Sequence, residues 1–150
     1  MADYSQQRHG HGNRGGRDDK PEPIDTLKIQ FKNIEADLFD GVARQAAETI
    51  ANNKKKELNK PTQLRRFYDE IVMWEAKSAA NKDRFSEYLP FIRMINAKAA
   101  YALGRNLVDQ NFVTLVNHGL QQVDTYADLR IFKLFMEAFM GFYKEKRPKD

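Results

Sequence analysis

The residues with the clearest chemical potential lie in one short stretch, "KKKELNKPTQLRR", Lys54 to Arg66. It holds six basic side chains and one acid, a net +5, while the whole chain carries +4. The chemistry on offer is the binding of an anion, since no nucleophile or proton-transfer pair accompanies these cations. Asn59-Lys60-Pro61 interrupts the chain, and the spacing then predicts a helix capped by Thr62. An acid or Gln is favoured three residues after such a cap. Arg65 stands there instead, followed by Arg66, although cations in the first turn oppose the helix macrodipole. A phosphate at that helix start would resolve the conflict, because it would meet free N–H groups and nearby cations together. Gln63 offers a further hydrogen bond to a sugar or phosphate oxygen. Internal partners exist as well. Arg65 can reach Asp69 and Arg66 can reach Glu70, pairs worth only a few tenths of a kcal/mol in this orientation. They leave Lys54, Lys55, Lys56 and Lys60 without an explanation. Two readings stay open at this point: a nucleic-acid contact and a solvated charge run.

A second group lies in "INAKAAYALGR". Lys98, Tyr101 and Arg105 fall within a sector of about 60° at 100° per residue, beside the apolar face of a helix. Cations next to an aromatic suit a surface that tracks a nucleic-acid backbone. The alternative makes Tyr101 a rim residue of the core with solvated cations around it. The small residues Ala97, Ala100 and Gly104 also allow another chain to approach.

Catalytic chemistry finds little support. The chain has no cysteine, which excludes disulfides, thiolate metal sites and Cys nucleophiles. His118, in "VNHGL", has no acid at helical spacing and reads as a surface or rim residue. Asp69, Glu70 and Glu75 lack the HxxxH, ExxH or DxD company of a metal site, and no phosphate-binding glycine loop is present. We therefore expect no enzyme activity, no cofactor and no metal.

The elements that must position these groups follow from periodicity. At 150 residues the chain suits one domain with a real core. Residues 1–22, rich in Gly, His and Arg, are too polar to offset their ordering entropy and read as a disordered tail, with a helical domain over 23–150. The single RGG and the two tail histidines are weak signals for RNA or metal. "TLKIQFKNI" alternates and suits a short extended segment or a helical lead-in. Helices are expected over about Asp37–Asn53, Gln63–Ala80, Pro90–Asn106 and Gln110–Val123, and from Thr125 onward. Their inner faces are marked by Leu38, Val42, Ala46 and Ile50; by Leu64, Phe67, Tyr68, Ile71, Trp74 and Ser78; by Ile92, Ile95, Ala99 and Leu103; and by Phe112, Leu115, Val116 and Leu120. "TYAD" gives the last helix a box-like cap of the correct sign. The apolar arc of that helix, Phe132 to Tyr143, exceeds half its circumference, so it is either central or shared with another subunit. The expected fold is all-α, a single-domain bundle of about five helices. No apolar run approaches the ~20 residues of a membrane span, and a cytoplasmic location without membrane association is expected.

Three segments together, "NKPTQLRRFYDEI" (59–71), "LPFIRMINAKAAYALGR" (89–105) and "FKLFMEAFMGFYK" (132–144), resemble the small helical subunit of type III-A CRISPR–Cas interference complexes, the Csm effector. The resemblance spans roughly residues 35–145 and leaves the tail outside. It implies a non-catalytic subunit whose copies stack in a filament with other Csm subunits and self-associate. Such a subunit contacts target RNA, or the guide–target RNA duplex, through phosphates and sugars. Lys56, Lys60, Gln63, Arg65 and Arg66 become the leading RNA-facing group, and Lys98, Tyr101 and Arg105 the second. Leu103 stands where another cation would suit the groove. The alternatives are a purely architectural subunit joined through its last helix without RNA contact, and a stand-alone nuclease.

Overall fold

Short polar signals set the helix boundaries of this chain, and a broad aromatic face on the last helix supplies much of its core. The computed structural model describes residues 20–150. The expected disordered tail falls largely outside them. Within the described residues, Glu22 is already tied down, its carbonyl accepting from Asn111 Nδ2 at 2.8 Å.

Six α-helices follow: α1 (Ala43–Ala51), α2 (Pro61–Ala80), α3 (Phe85–Arg93), α4 (Ile95–Gly104), α5 (Gln110–Gln121) and α6 (Tyr126–Lys146). No strand occurs among the described residues, in keeping with the all-α expectation. A π-helical turn, Leu38–Val42, leads into α1, with the Asp37 side chain accepting from Gly41 N. α3 and α4 together occupy the region expected as one helix from Pro90. The observed helix begins earlier, at Phe85, after a 3-10 turn over Lys82–Arg84. Pro90 lies inside α3 and not in its first turn. It lacks the N–H that would bond Ser86, but both residues are exposed, so water can reach that carbonyl. The helical path is interrupted at Met94 and resumes at Ile95.

The last helix occupies the centre. α6 packs on α1 and α2, while α4 packs on α5. Phe132, Phe135, Met136, Phe139 and Tyr143 are buried, and each such side chain contributes about 1.5–3 kcal/mol of apolar burial. Phe31 lies against Phe132 and Phe135 with ring centroids 5.6 and 6.0 Å apart. Phe67 of α2 meets Phe112 of α5 edge-on at 5.2 Å. Gly119 lets α5 approach α6 closely: a Cβ there would sit 2.5 Å from Phe132 Cε1. The wide apolar arc of α6 is thus spent on the core, with Met140 and Phe142 half-buried at its margin.

The alternating segment before α1 is neither strand nor helix. Ile29 and Phe31 are buried while Lys28, Gln30 and Lys32 are exposed, which accounts for the alternation. Besides local turns, in which Ile29 N donates to the Thr26 carbonyl and Gln30 N to that of Lys28, its backbone is held by side chains of α5 and of the residue that follows it. Gln122 Oε1 accepts from Phe31 N at 2.9 Å, and Gln122 Nε2 donates to the Ile29 carbonyl at 2.9 Å. His118 Nε2 lies 2.8 Å from the same carbonyl, which gives this histidine a structural place at the rim.

At the start of α6 the capping box is complete. Thr125 Oγ1 accepts from Asp128 N, and Asp128 Oδ2 accepts from Thr125 N at 3.1 Å. The same carboxylate accepts from Lys32 Nζ at 2.6 Å and from Asp124 N at 3.0 Å. Burial pushes the Asp128 pKa up, yet Lys32 and the surrounding N–H and O–H donors together hold it below its ordinary value. A carboxyl whose native pKa is depressed stabilises fully above its unfolded value, and the contribution is lost as pH falls through the native one. Asp128→Asn should cost about 1–2 kcal/mol near neutral pH. It should also flatten the fall in stability below about pH 4 that denaturant titrations of the wild type will show. Gly119→Ala should lower stability by about 1–3 kcal/mol through overpacking against Phe132, read by the same titration.

Candidate nucleic-acid interface

The junction between α1 and α2 sets the geometry of the basic stretch. Asn59 adopts φ 57°, a left-handed conformation that Asn tolerates better than most residues. Lys60, held extended by the proline after it, has ψ 137° and is the N-cap of α2, with Pro61 in the first helical position. Thr62 is therefore inside the first turn and not the cap that its sequence suggests. Its own backbone N–H and hydroxyl both donate to the Asp150 carboxylate, at 3.0 and 2.7 Å. The negative group missing from the first turn of α2 is thus supplied from the other end of the chain. Those two hydrogen bonds, first the hydroxyl's and then the amide's, hold the Asp150 carboxyl below its ordinary value, aided by the charges of Lys60 and Arg147.

Beneath the exposed cations the loop is nailed to the core by a buried polar network. Asn59 is fully buried. Its N–H donates to the Leu107 carbonyl at 3.0 Å, its Oδ1 accepts from Asp109 N at 2.9 Å, and its carbonyl accepts from the Tyr143 hydroxyl. Burial pushes the Tyr143 pKa up to about 12, so the phenol stays protonated as a donor. Asn53 Nδ2 donates to Asp109 Oδ2 at 2.9 Å, while the other Asp109 oxygen caps α5 by accepting from Phe112 N. Arg147 is buried against the loop, its guanidinium donating to the carbonyls of Leu58, at 2.5 Å, and Lys56. The loop backbone faces inward to these partners, and Lys54, Lys55 and Lys60 extend outward into solvent.

The expected site residues divide into distinct roles. Lys60, Arg65 and Arg66 are exposed, and Gln63 is half-buried beside them. Arg65 pairs with Asp69 at 3.5 Å, as its spacing suggests, and lines a groove with Pro61, Thr62, Met140, Tyr143 and Lys144. Arg66, about 100° further around the helix, is on the side of Glu70. The expected Arg66–Glu70 pair does not form. Glu70 instead accepts from Lys98 Nζ at 2.5 Å, and Arg66 has no salt bridge among the described residues. The two arginines thus flank α2 on different sides. Lys56 donates from Nζ to the Ala51 carbonyl at 3.1 Å, which commits its charge to the C-terminal end of α1.

The second group is exposed on α4. The Arg105 guanidinium lies 5.7 Å from the centroid of the Tyr101 ring, and its Nη1 donates to the Tyr101 hydroxyl at 3.4 Å. Two links bring this group beside the first: the Glu70–Lys98 pair and the Asn59–Leu107 hydrogen bond. A cleft lined by Lys20, Lys55, Leu103, Asn106 and Gln110 runs between the basic loop and the end of α4. Leu103 is half-buried there, which explains why an apolar residue serves at that position. Sequence reasoning missed Lys144, Arg147 and Asp150, although "KEKRPKD" carries enough charge to have drawn notice. Among the described residues, no group of three or more His, Asp or Glu could hold a metal ion.

With this geometry in place, comparison with known families becomes informative. A model of the Csm2 Type III-A family matches residues 39–149, most of the chain. The chain belongs to that family. Neither the curated proteins nor the solved structures give a match. The Csm2 match takes in both cationic groups and α6 but stops short of the segment that packs Ile29 and Phe31 under the bundle. Among the described residues, no helix is long and apolar enough to cross a membrane. The family places the chain as the small subunit of a type III-A CRISPR effector, in association with other Csm subunits. Arg147→Ala should release the loop without unfolding the bundle. Limited trypsin digestion should then cut at Lys54–Lys60 at least several-fold faster than in the wild type.

Proposed function

We propose that this Csm2 subunit binds RNA through its sugar–phosphate backbone and has no catalytic role. The observation that carries this reading is a rigidly anchored loop with outward cations, Lys55 and Lys60, that continues into Arg65 and Arg66 at the start of α2. An immobile loop loses little entropy on binding, so cationic contacts of ordinary strength retain more of their energy. Lys98, Tyr101 and Arg105 extend the surface along α4, where an aromatic ring beside cations suits a single strand or the edge of a duplex. Target RNA, or the guide–target RNA duplex, is the ligand. Sequence reading is left to base pairing, as in other RNA-guided effectors. Stacked copies add their weak contacts along one RNA, which gains avidity without sequence preference.

The architectural alternative, a subunit that joins its neighbours without touching RNA, has a different basis from the one expected. The apolar arc of α6 is interior. Exposed apolar side chains include Met73 on α2, Phe91 on α3 and Met94 just after it, with Phe91 stacked on Trp74 at 6.1 Å between centroids. These side chains suit subunit contacts, and they are compatible with RNA binding elsewhere.

Charge reversal at Arg65 and Arg66 should weaken RNA binding by roughly tenfold or more at moderate salt. The slope of log affinity against log salt should fall by about one for each phosphate that the variant no longer neutralises. Filter binding with the assembled effector is the measurement. Wild-type affinity in a fully assembled variant complex would favour the architectural reading.

A further inference from the structure

The contact between Asp150 and Thr62 has a form that helix stability alone does not require. Helix starts are commonly capped by a residue just before the helix. Here Lys60 caps α2 without a side-chain hydrogen bond, and the carboxylate arrives from 88 residues away. It makes the two contacts that a phosphate would make at the same place: one oxygen on a backbone N–H of the first turn and one on a hydroxyl. Lys60 and Arg147 supply positive charge around it, and Arg65 and Lys144 line the adjoining groove. An anion is therefore observed in this seat, and it belongs to the chain itself.

The segment that delivers it is built to move in part. Arg147 is buried and fixed by the carbonyls of Lys56 and Leu58. Pro148, Lys149 and Asp150 beyond it are exposed. Their only other hydrogen bond among the described residues is the one from Lys144 Nζ to the Pro148 carbonyl, at 2.7 Å. Release of Asp150 would need rotation of three exposed residues, while the anchor of the basic loop stays in place.

Building on the RNA-backbone reading above, we propose that the Thr62 seat is an exchangeable phosphate site. Asp150 fills it in the RNA-free chain, and an RNA phosphate displaces the carboxylate on binding. The strap formed by residues 148–150 then discriminates by valency. A lone anion must compete with a tethered carboxylate of high effective concentration, whereas an RNA strand engaging Lys60, Arg66 and the α4 group at once can displace it. The site thereby rejects free phosphate and mononucleotides and accepts polymer.

The test uses the full chain and two variants that each remove one negative charge: Asp150→Ala, and Glu145→Gln, an exposed acid near the end of α6. The Thr62 amide is followed by NMR during titration with inorganic phosphate. Asp150→Ala should shift this amide at phosphate concentrations that leave the wild type and Glu145→Gln unchanged. In parallel, binding of a labelled single-stranded RNA oligonucleotide should tighten about three- to tenfold in Asp150→Ala, and clearly less in Glu145→Gln. Equal gains in both variants would reduce the effect to net charge and overturn the proposal, as would a Thr62 amide insensitive to phosphate in Asp150→Ala. Charge reversal at Arg65 and Arg66 separates the two levels. If it weakens RNA binding while Asp150→Ala changes nothing, the RNA reading stands and the exchangeable seat falls. If it has no effect on RNA while Thr62 still responds to phosphate, the seat stands as an anion site and RNA as its occupant falls.

Discussion

A single buried asparagine holds the two halves of this molecule in register. Asn59 turns the chain through a left-handed conformation, and each of its polar groups is spent on a different part of the fold. Its N–H goes to Leu107 just beyond α4, its side-chain oxygen to Asp109 at the start of α5, its side-chain N–H to Ile50 of α1, and its carbonyl to Tyr143 of α6. Unpaired, any of these buried groups would cost about 1–3 kcal/mol. Paired, they fix where α2 begins relative to four other helices. The orientation of the cations before and after Pro61 depends on that residue together with Arg147, which holds the carbonyls of Lys56 and Leu58.

The electrostatic design is a compromise between grip and self-neutralisation. Glu70 holds Lys98, Asp69 holds Arg65, and Asp150 occupies the first turn of α2. All these pairs are at least partly exposed and individually weak, so they are easily exchanged for stronger partners. A subunit that worked alone would gain from losing those acids. On the proposed reading, one that works in several copies along a strand needs only modest affinity per copy, and the acids restrain unproductive binding to free nucleic acid.

Much of the fold was legible because its signals are local. The faces of α2 and α5 read directly from Leu64, Phe67 and Ile71 and from Phe112, Leu115, Val116 and Leu120, all of which are buried. The capping box at Thr125 was legible for the same reason. The errors have two sources: distant partners, and local signals that admit more than one reading. Thr62 looks like a cap, but Lys60, held extended by Pro61, takes that place, and Thr62 turns instead to Asp150. The alternation in "TLKIQFKNI" suits an extended segment or a helical lead-in, and which of these it is depends on the side chains of His118 and Gln122 that hold its backbone. Pro90 looks like a helix start, because sequence alone does not show that an exposed interior proline is tolerated. For the candidate interface, the clustering of charge was visible, but the capture of Glu70 by Lys98, which leaves Arg66 without its expected partner, depended on tertiary geometry.

The anchoring of the basic loop also has a consequence in time. Its fixed points lie far apart in sequence: Asn53 and Asn59 precede Asp109, Tyr143 and Arg147 by some 50 to 90 positions. Contacts of such long range form late, because loop closure must be achieved before they contribute. During synthesis, the lysines of the loop emerge well before the arginine that positions them. A nascent or partly folded chain thus displays positive charge without a defined shape, and the finished surface forms only once the segment through Arg147 is in place.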